Sequence, residues 1–346
     1  MKFHIDIAPH TLHFKQPAGT SRGVYLTRKT WFVTLSSPQK PGVVGVGECA
    51  PLPNLSCDDL PNYEERLSQA CQQFCETGNI NHNELSPYPS IRFGLEAALW
   101  QWQRNGSAAL SQTAFARGEM GIPINGLVWM GTFEEMAARI EEKLNLGFRC
   151  VKLKIGAIDF DRELQLLKDI RATFSPHQVE LRVDANGAFT ADEALSKLEK
   201  LAKLDLHSIE QPIAKGQWCE IAELCKRSPL PIALDEELIA VNTLDAKEEL
   251  LDTIAPQYLV LKPSLHGGIY GTKEWVALAK SRQMGSWITS ALESNVGLNA
   301  IAHLAAEVYG PLIDMPQGLG TGQLFTDNIV MPLQIKGDCL WFLPNS

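Results

Sequence analysis

The sequence predicts an α/β fold, a closed parallel barrel of the TIM type behind a smaller α+β domain, and three observations predict it. From about residue 121, short apolar runs alternate with amphipathic stretches such as TFEEMAARIEEKLN and ADEALSKLEKLAK. Strand–helix alternation implies a parallel sheet. Three acids, Asp184, Glu210 and Asp235, end three of these runs at intervals of 26 and 25 residues. One strand–helix unit of such a barrel takes about 25–30 residues. The first 120 residues lack this rhythm and read as strands followed by helices, the α+β pattern.

In chain order, FHIDI, GVYLTRKTWFVTL and VVGVGE (near 2–7, 23–36 and 43–48) read as strands. QPAGTSRG reads as the loop between the first two, and CAPLPNLSC as the loop after the third. Helices are expected near 58–77 and 88–103. The barrel strands are IPINGLV, CVKLKI, VELRVDA, LHSIE, PIALDE, YLVLKP and GSWITS. Seven units with polar tips favour closure over an open sheet, which would carry a glycine-rich phosphate loop after its first strand. The last stretch, DNIVMPLQIKGDCLWFLP, reads as strands rejoining the N-terminal domain. The expected division is residues 1–120, completed by 323–346, and a barrel over 121–322.

Composition excludes several classes. The 346 residues are 45% hydrophobic and 21% charged, with a net charge of −9. Without a basic run, nucleic acid is not an expected partner. No apolar stretch approaches the ~20 residues of a membrane span, and MKFHIDIAPH lacks the apolar core of a signal peptide. The eight cysteines, including Cys71 and Cys75 four apart on a helix, form no CxxC pair and point to a reduced, cytoplasmic chain. Oligomeric state is left open.

The acids carry the chemistry. One Asp after a strand is ordinarily a turn or cap residue. Three in register at one barrel face need a cation, and oxygen-only ligation favours magnesium, with manganese of the same class. Lys152 and Lys154 share one face of their strand, and lysine within an apolar strand is costly to bury. Lys262 ends its own strand 27 residues after Asp235. Lys154, Asp184, Glu210, Asp235 and Lys262 thus occupy five successive strands, which sets the two lysines on opposite sides of an eight-stranded barrel. A cation between opposed lysines suits abstraction of a proton next to the carboxylate of a small-molecule substrate. Lys152 would lower the pKa of Lys154. Glu236 is expected to point outward, cap the next helix or neighbour the ligands. Ser290 is expected to hydrogen-bond substrate and Glu293 to orient it. Gly318 and Gly320 in GLGTG offer N–H groups to a carboxylate, or form a flexible loop. His207 reads as structural, His303 as core or surface, and His266 as a loop residue after Lys262 that could reach substrate.

The segments GECAPLP (47–53), VKLKIG (151–156), RVDANGAF (182–189), EQP (210–212), ALDEE (233–237), LKPSL (261–265), SALES (290–294) and GLGTGQLF (318–325) span most of the chain. Together they resemble the muconate-lactonizing-enzyme subgroup of the enolase superfamily, and within it the o-succinylbenzoate synthase family of menaquinone biosynthesis. The resemblance implies a capping domain over a modified (β/α)7β barrel, with magnesium on Asp184, Glu210 and Asp235. It implies Lys154 as the base of a syn-dehydration that forms an aromatic product through an enediolate. Lys262 would stabilise the enediolate by a cation–π type contact. Arg182 and Asn186 would support the first ligand, and the 10–24 and GECAPLP segments would close over the substrate tail. Dipeptide epimerases and N-succinylamino acid racemases use the same two lysines. The epimerases typically carry an acidic pair on the last barrel strand, where this chain has only Asp314 in IDMPQGLGTG. Muconate cycloisomerase resembles the tail less. A catalytically idle binding protein is disfavoured by the full set of acids and lysines.

Overall fold

The computed structural model describes residues 2–20, 23–128, 132–156 and 158–344. The N-terminal sheet is antiparallel, in the order β1 (His4–Thr20), β2 (Gly23–Ser36), β3 (Val44–Cys49). Helices α1 (Tyr63–Thr77) and α2 (Pro89–Gln103) follow it. The expected loop over 16–23 is instead mostly strand: β1 runs through to Thr20, with a register shift between His13 and Ala18. Ser21 and Arg22 of that expected loop lie outside the described residues.

After β4 (Ile122–Pro123) come seven parallel strands in sequence order. They are β5 (Gly126–Val128), β6 (Cys150–Lys154), β7 (Glu180–Asp184), β8 (Ser208–Glu210), β9 (Ile232–Leu234), β10 (Tyr258–Leu261) and β11 (Gly285–Ile288). Each is followed by a helix: α3 (Phe133–Asn145), α4 (Phe160–Thr173), α5 (Ala191–Ala202), α6 (Trp218–Arg227), α7 (Leu244–Ile254), α8 (Gly268–Ser281) and α9 (Asn295–Tyr309). The helix starts are written locally. At α3, Glu135 N–H donates to Thr132 Oγ1 and Thr132 N–H to Glu135 Oε2, a reciprocal cap. Asp159, Thr243 and Ser294 cap α4, α7 and α9.

The ring closes through Gln317 and Gly318, which bridge in parallel to Ile124 and Thr289. Gln317 N–H donates to Pro123 O at 2.8 Å and Gly318 N–H to Ile288 O at 2.9 Å. Seven strand–helix units plus this short eighth segment make a (β/α)7β barrel. The C-terminal hairpin, β12 (Leu333–Lys336) and β13 (Cys339–Phe342), differs from expectation. It pairs with β4 at the barrel rather than with the β1–β3 sheet.

Close backbone approach and buried charge join the two parts. A Cβ on Gly47 would stand 1.8 Å from the Gly94 carbonyl oxygen, so β3 and α2 meet only because both positions are glycine. Glu48 of β3 accepts N–H groups from Ser294 and Gly297, both at 2.9 Å, at the start of α9. Glu96 of α2 accepts N–H groups from Ile269 and Tyr270 at the start of α8 and pairs with Arg92 at 3.3 Å. Helix N-termini leave unpaired N–H groups and a positive dipole end. Two buried carboxylates from the N-terminal part satisfy two consecutive barrel helices.

Burial pushes the Glu96 carboxyl up to about 7, against the pull of Arg92 and the two N–H groups. Its folded value lies above its unfolded one, so its contribution to stability is full below about pH 4.5 and lost as pH rises to about 7. Glu96→Gln removes this dependence. Relative to the parent, the variant is expected to gain about 3 kcal/mol between pH 4.5 and 7 and little above. Urea unfolding at matched pH values checks this; a constant difference across the range refutes it.

Candidate metal and proton-transfer site

The barrel interior is polar at one end because of strand phase. Successive strand residues face opposite ways, so Lys152 and Lys154 point inward together. Register pairs Lys154 with Asp184 and Asp184 with Glu210. Asp235 follows β9, and Lys262 follows β10. All three acids are at most 1% exposed, and an oxygen from each lies within 4.8 Å of the other two. That spacing suits one hard cation at about 2.0–2.6 Å from each oxygen. Glu210 Oε1 is buried with no hydrogen-bond partner, which leaves it available as a ligand. The donor set therefore fits a divalent ion.

The lysines reach the acids from both sides. Lys154 Nζ is 2.8 Å from Asp184 Oδ2 and 2.6 Å from Asn186 Oδ1. Lys152 Nζ is 2.8 Å from Glu210 Oε2 and 3.4 Å from Asp184 Oδ2. Lys262 Nζ lies 2.7 Å from Asp235 Oδ1. Three strands separate β6 from β10, so Lys154 and Lys262 approach from opposite walls.

Burial and charge compete at every group. Burial pushes Asp184 up, but Lys154 and Lys152 outweigh it and hold the carboxyl below its usual range. Burial lowers Lys152, but Glu210 and Asp184 override it and keep the ammonium charged. Lys262 is raised likewise: burial opposes, Asp235 and Glu236 prevail. Glu210 is raised by burial beyond what Lys152 restores. Glu236 turns inward rather than out: Asn186 Nδ2 donates to its Oε1 at 2.9 Å. Burial, then Asp235 and Asp184, push its carboxyl up to about 7.

The other expected residues are placed less directly. Arg182 lies one inward position below Asp184, paired with Glu180 at 2.7 Å and 4.4 Å over the Trp287 ring. It supports the barrel beneath the acids. Glu293 is fully buried and accepts the Ser264 and Ser290 hydroxyls and the Ala291 N–H. Ser290 and Glu293 thus bond to each other rather than facing an open mouth. The Gly318 N–H is engaged in barrel closure with Ile288, whereas a Cβ on Gly320 would meet nothing nearer than 3.7 Å. His266 is fully buried, far below its ordinary pKa through burial and the Lys262 charge, and its Nδ1 accepts the Lys262 N–H at 2.9 Å. It shapes the Lys262 turn. His207 packs on Tyr258 and His303 on Phe115.

Sequence reasoning missed Arg28. It is buried in β2 and donates to the carbonyls of Ala50, Pro51 and Leu292, which ties the GECAPLP loop to the loop after β11. Its neighbours Thr27, Lys29 and Thr30 are polar, so the signal that marked Lys152, a charge inside an apolar run, is absent. Leu12, Leu52, Ile239, Leu265, Leu292 and Phe325 form an apolar cluster where these loops meet.

Residues 135–337 match the family described as enolase C-terminal domain-like, and residues 20–102 match the MenC N-terminal domain. The chain is 45% identical to an o-succinylbenzoate synthase from Desulfotalea psychrophila, covering 95% of this chain and 96% of that one. A crystal structure of MenC from that organism superposes with TM-score 0.86 at 39% identity over 99% of this chain and all of that one. An L-Ala-D/L-Glu epimerase from Bacillus subtilis is 31% identical over 50% of this chain and 47% of its own length. A capped barrel with buried acids between lysines is an enzyme fold of the enolase superfamily, whose members use divalent metals. The chain belongs to the o-succinylbenzoate synthase family within that superfamily.

Asp184→Asn removes one charged ligand while keeping its shape. Divalent-ion affinity is expected to fall about 100-fold or more, measured by calorimetry. Unchanged affinity would sink the three-acid site.

Proposed function

We propose that the chain dehydrates 2-succinyl-6-hydroxy-2,4-cyclohexadiene-1-carboxylate to 2-succinylbenzoate, in the menaquinone route. The observation that carries this is the full-length identity to a protein of that activity. Magnesium held by Asp184, Glu210 and Asp235, or manganese in its place, would bind the substrate carboxylate and stabilise the negative charge that builds there. With Lys152 and Lys262 charged against three carboxylates and Lys154 serving as the amine that takes the proton, a divalent ion makes the site net positive and favours an anionic substrate.

The Lys154 amine takes the α-proton at Nζ. The C–H electron pair stays on the substrate. Lys262, charged throughout, stands against the developing ring. Departure of the C–O pair with the hydroxyl then completes the aromatic ring, and the proton on Lys154 leaves with that oxygen as water. Lys152 holds Glu210 and Asp184 in place, and Arg182 supports them from below. Asn186, Ser290, Glu293, Gly318 and Gly320 serve as supporting groups, Gly320 with its N–H toward substrate.

Residues 1–120 act as a cap over the barrel of 121–322, to whose β4 the C-terminal hairpin is joined. Among the described residues no helix is long and apolar enough to cross a membrane. All eight cysteines are unpaired, which supports a reducing cytoplasm.

Turnover of this substrate, followed by ultraviolet absorbance as the ring aromatises, is expected to be rapid and magnesium-dependent. Its absence, with deuterium exchange at the α-carbon of L-dipeptides or N-succinylamino acids, would reassign the site to epimerisation or racemisation. Lys154→Ala is expected to abolish turnover and leave divalent-ion binding within about threefold; normal turnover would remove Lys154 as the base.

A further inference from the structure

The two opposed lysines are held in unlike ways. Lys262 Nζ contacts the carboxylate of Asp235. Lys154 Nζ contacts Asp184 and also a neutral amide oxygen, Asn186 Oδ1, at 2.6 Å. A divalent ion competes with Lys154 for the Asp184 oxygen. It has no such claim on the amide, a weaker ligand than the carboxylates around it. Asn186 is thus the partner that can hold Lys154 when the acids are engaged.

An amide has a donor end and an acceptor end. Only its oxygen suits an ammonium group. Which end faces Lys154 is set on the far side of Asn186, where Nδ2 donates to Glu236 Oε1 at 2.9 Å. Backbone conformation aims this side chain: Asn186 has φ +45°, a left-handed turn that Asn tolerates, and its N–H donates to Asp184 Oδ1 at 3.1 Å. Glu236 opens the short helix Glu236–Leu238 after β9 and is 3% exposed. Its carboxylate is buried, and the amide has no second acceptor among the described contacts at that end. The acceptor role needs an oxygen and no particular protonation state.

We propose that Glu236 is a positioning residue for proton abstraction: by accepting Asn186 Nδ2 it orients the amide so that Oδ1 holds Lys154 Nζ in place. This rests on the reading of Lys154 as the base. Glu236 does not touch the substrate. It acts through Asn186. A misplacement of about 1 Å at a reacting atom costs about 100-fold, so a freed Lys154 shows in kcat rather than in KM.

The test compares Glu236→Leu with Glu236→Gln in the full chain, by kinetics, magnesium calorimetry and crystal structures. Glu236→Leu removes the acceptor at similar size. Its kcat is expected to fall about 10- to 100-fold with KM and magnesium affinity within about threefold. Its structure should show Asn186 Oδ1 more than about 3.5 Å from Lys154 Nζ. Glu236→Gln keeps an acceptor oxygen and should restore kcat to within about threefold of the parent and the Asn186–Lys154 contact with it. Magnesium affinity falling in step with kcat would overturn the proposal in favour of a role at the metal. So would Gln as impaired as Leu, or an undisturbed Asn186–Lys154 contact in the Leu variant. If the parent does not turn over the substrate, the proposed function fails separately, and the crystal structures still decide whether Glu236 holds the amide.

Discussion

Three carboxylates within 4.8 Å of one another, all buried, are the constraint around which the barrel is built. At an effective dielectric of about 20, each pair at that separation costs about 3 kcal/mol, or on the order of 10 kcal/mol for the three. Ordinary packing cannot offset that. Three inward ammonium groups at hydrogen-bond distance do. This explains a barrel whose upper interior is charged while its outer wall is a continuous apolar layer running from Val151 and Leu153 through Ile232 and Leu261. A site balanced in this way is ready to exchange ammonium contacts for a divalent ion and to accept an anion with it.

The same principle extends to the junction. Glu48 and Glu96 are buried carboxyl groups too, and each is satisfied by the N-terminal N–H groups of a barrel helix rather than by a metal. Arg28 adds the converse, a buried cation satisfied by carbonyl oxygens of the loops it joins. The body of the N-terminal part is therefore seated on helices α8 and α9. Those helices flank β11; the loop between β10 and α8 carries His266, and the loop between β11 and α9 carries Ser290 and Glu293. Seating and site geometry share one framework.

Much of the site was legible because strand periodicity is strict. Side chains alternate, each unit has nearly constant length, and an acid at the end of each of three runs cannot avoid the same face. Lys152 and Lys154 were legible because a charge inside an apolar run needs a partner. The two lysines flank the acids in sequence by 30 and 27 residues, and strand order alone makes them opposite. The glycines of the 318–322 segment were harder. Whether a backbone N–H is free depends on which strand lies beside it, and Gly318 donates to Ile288, 30 residues earlier.

Contacts between side chains from different elements escaped the sequence for the same reason. Glu236 follows a metal-site acid and by alternation faces away from it, yet the short helix at that point turns it back onto Asn186. Glu293 satisfies its charge with Ser264 from another strand's loop. The C-terminal hairpin pairs with β4 rather than with the N-terminal sheet, a match between segments about 200 residues apart that no local pattern announces. The barrel, the row of acids and the facing lysines follow from periods of two and of about 26 residues along one chain, and so were readable before folding. Which donor meets which acceptor across elements depends on distances of a few ångströms between segments that no local period relates, and packing alone settles it.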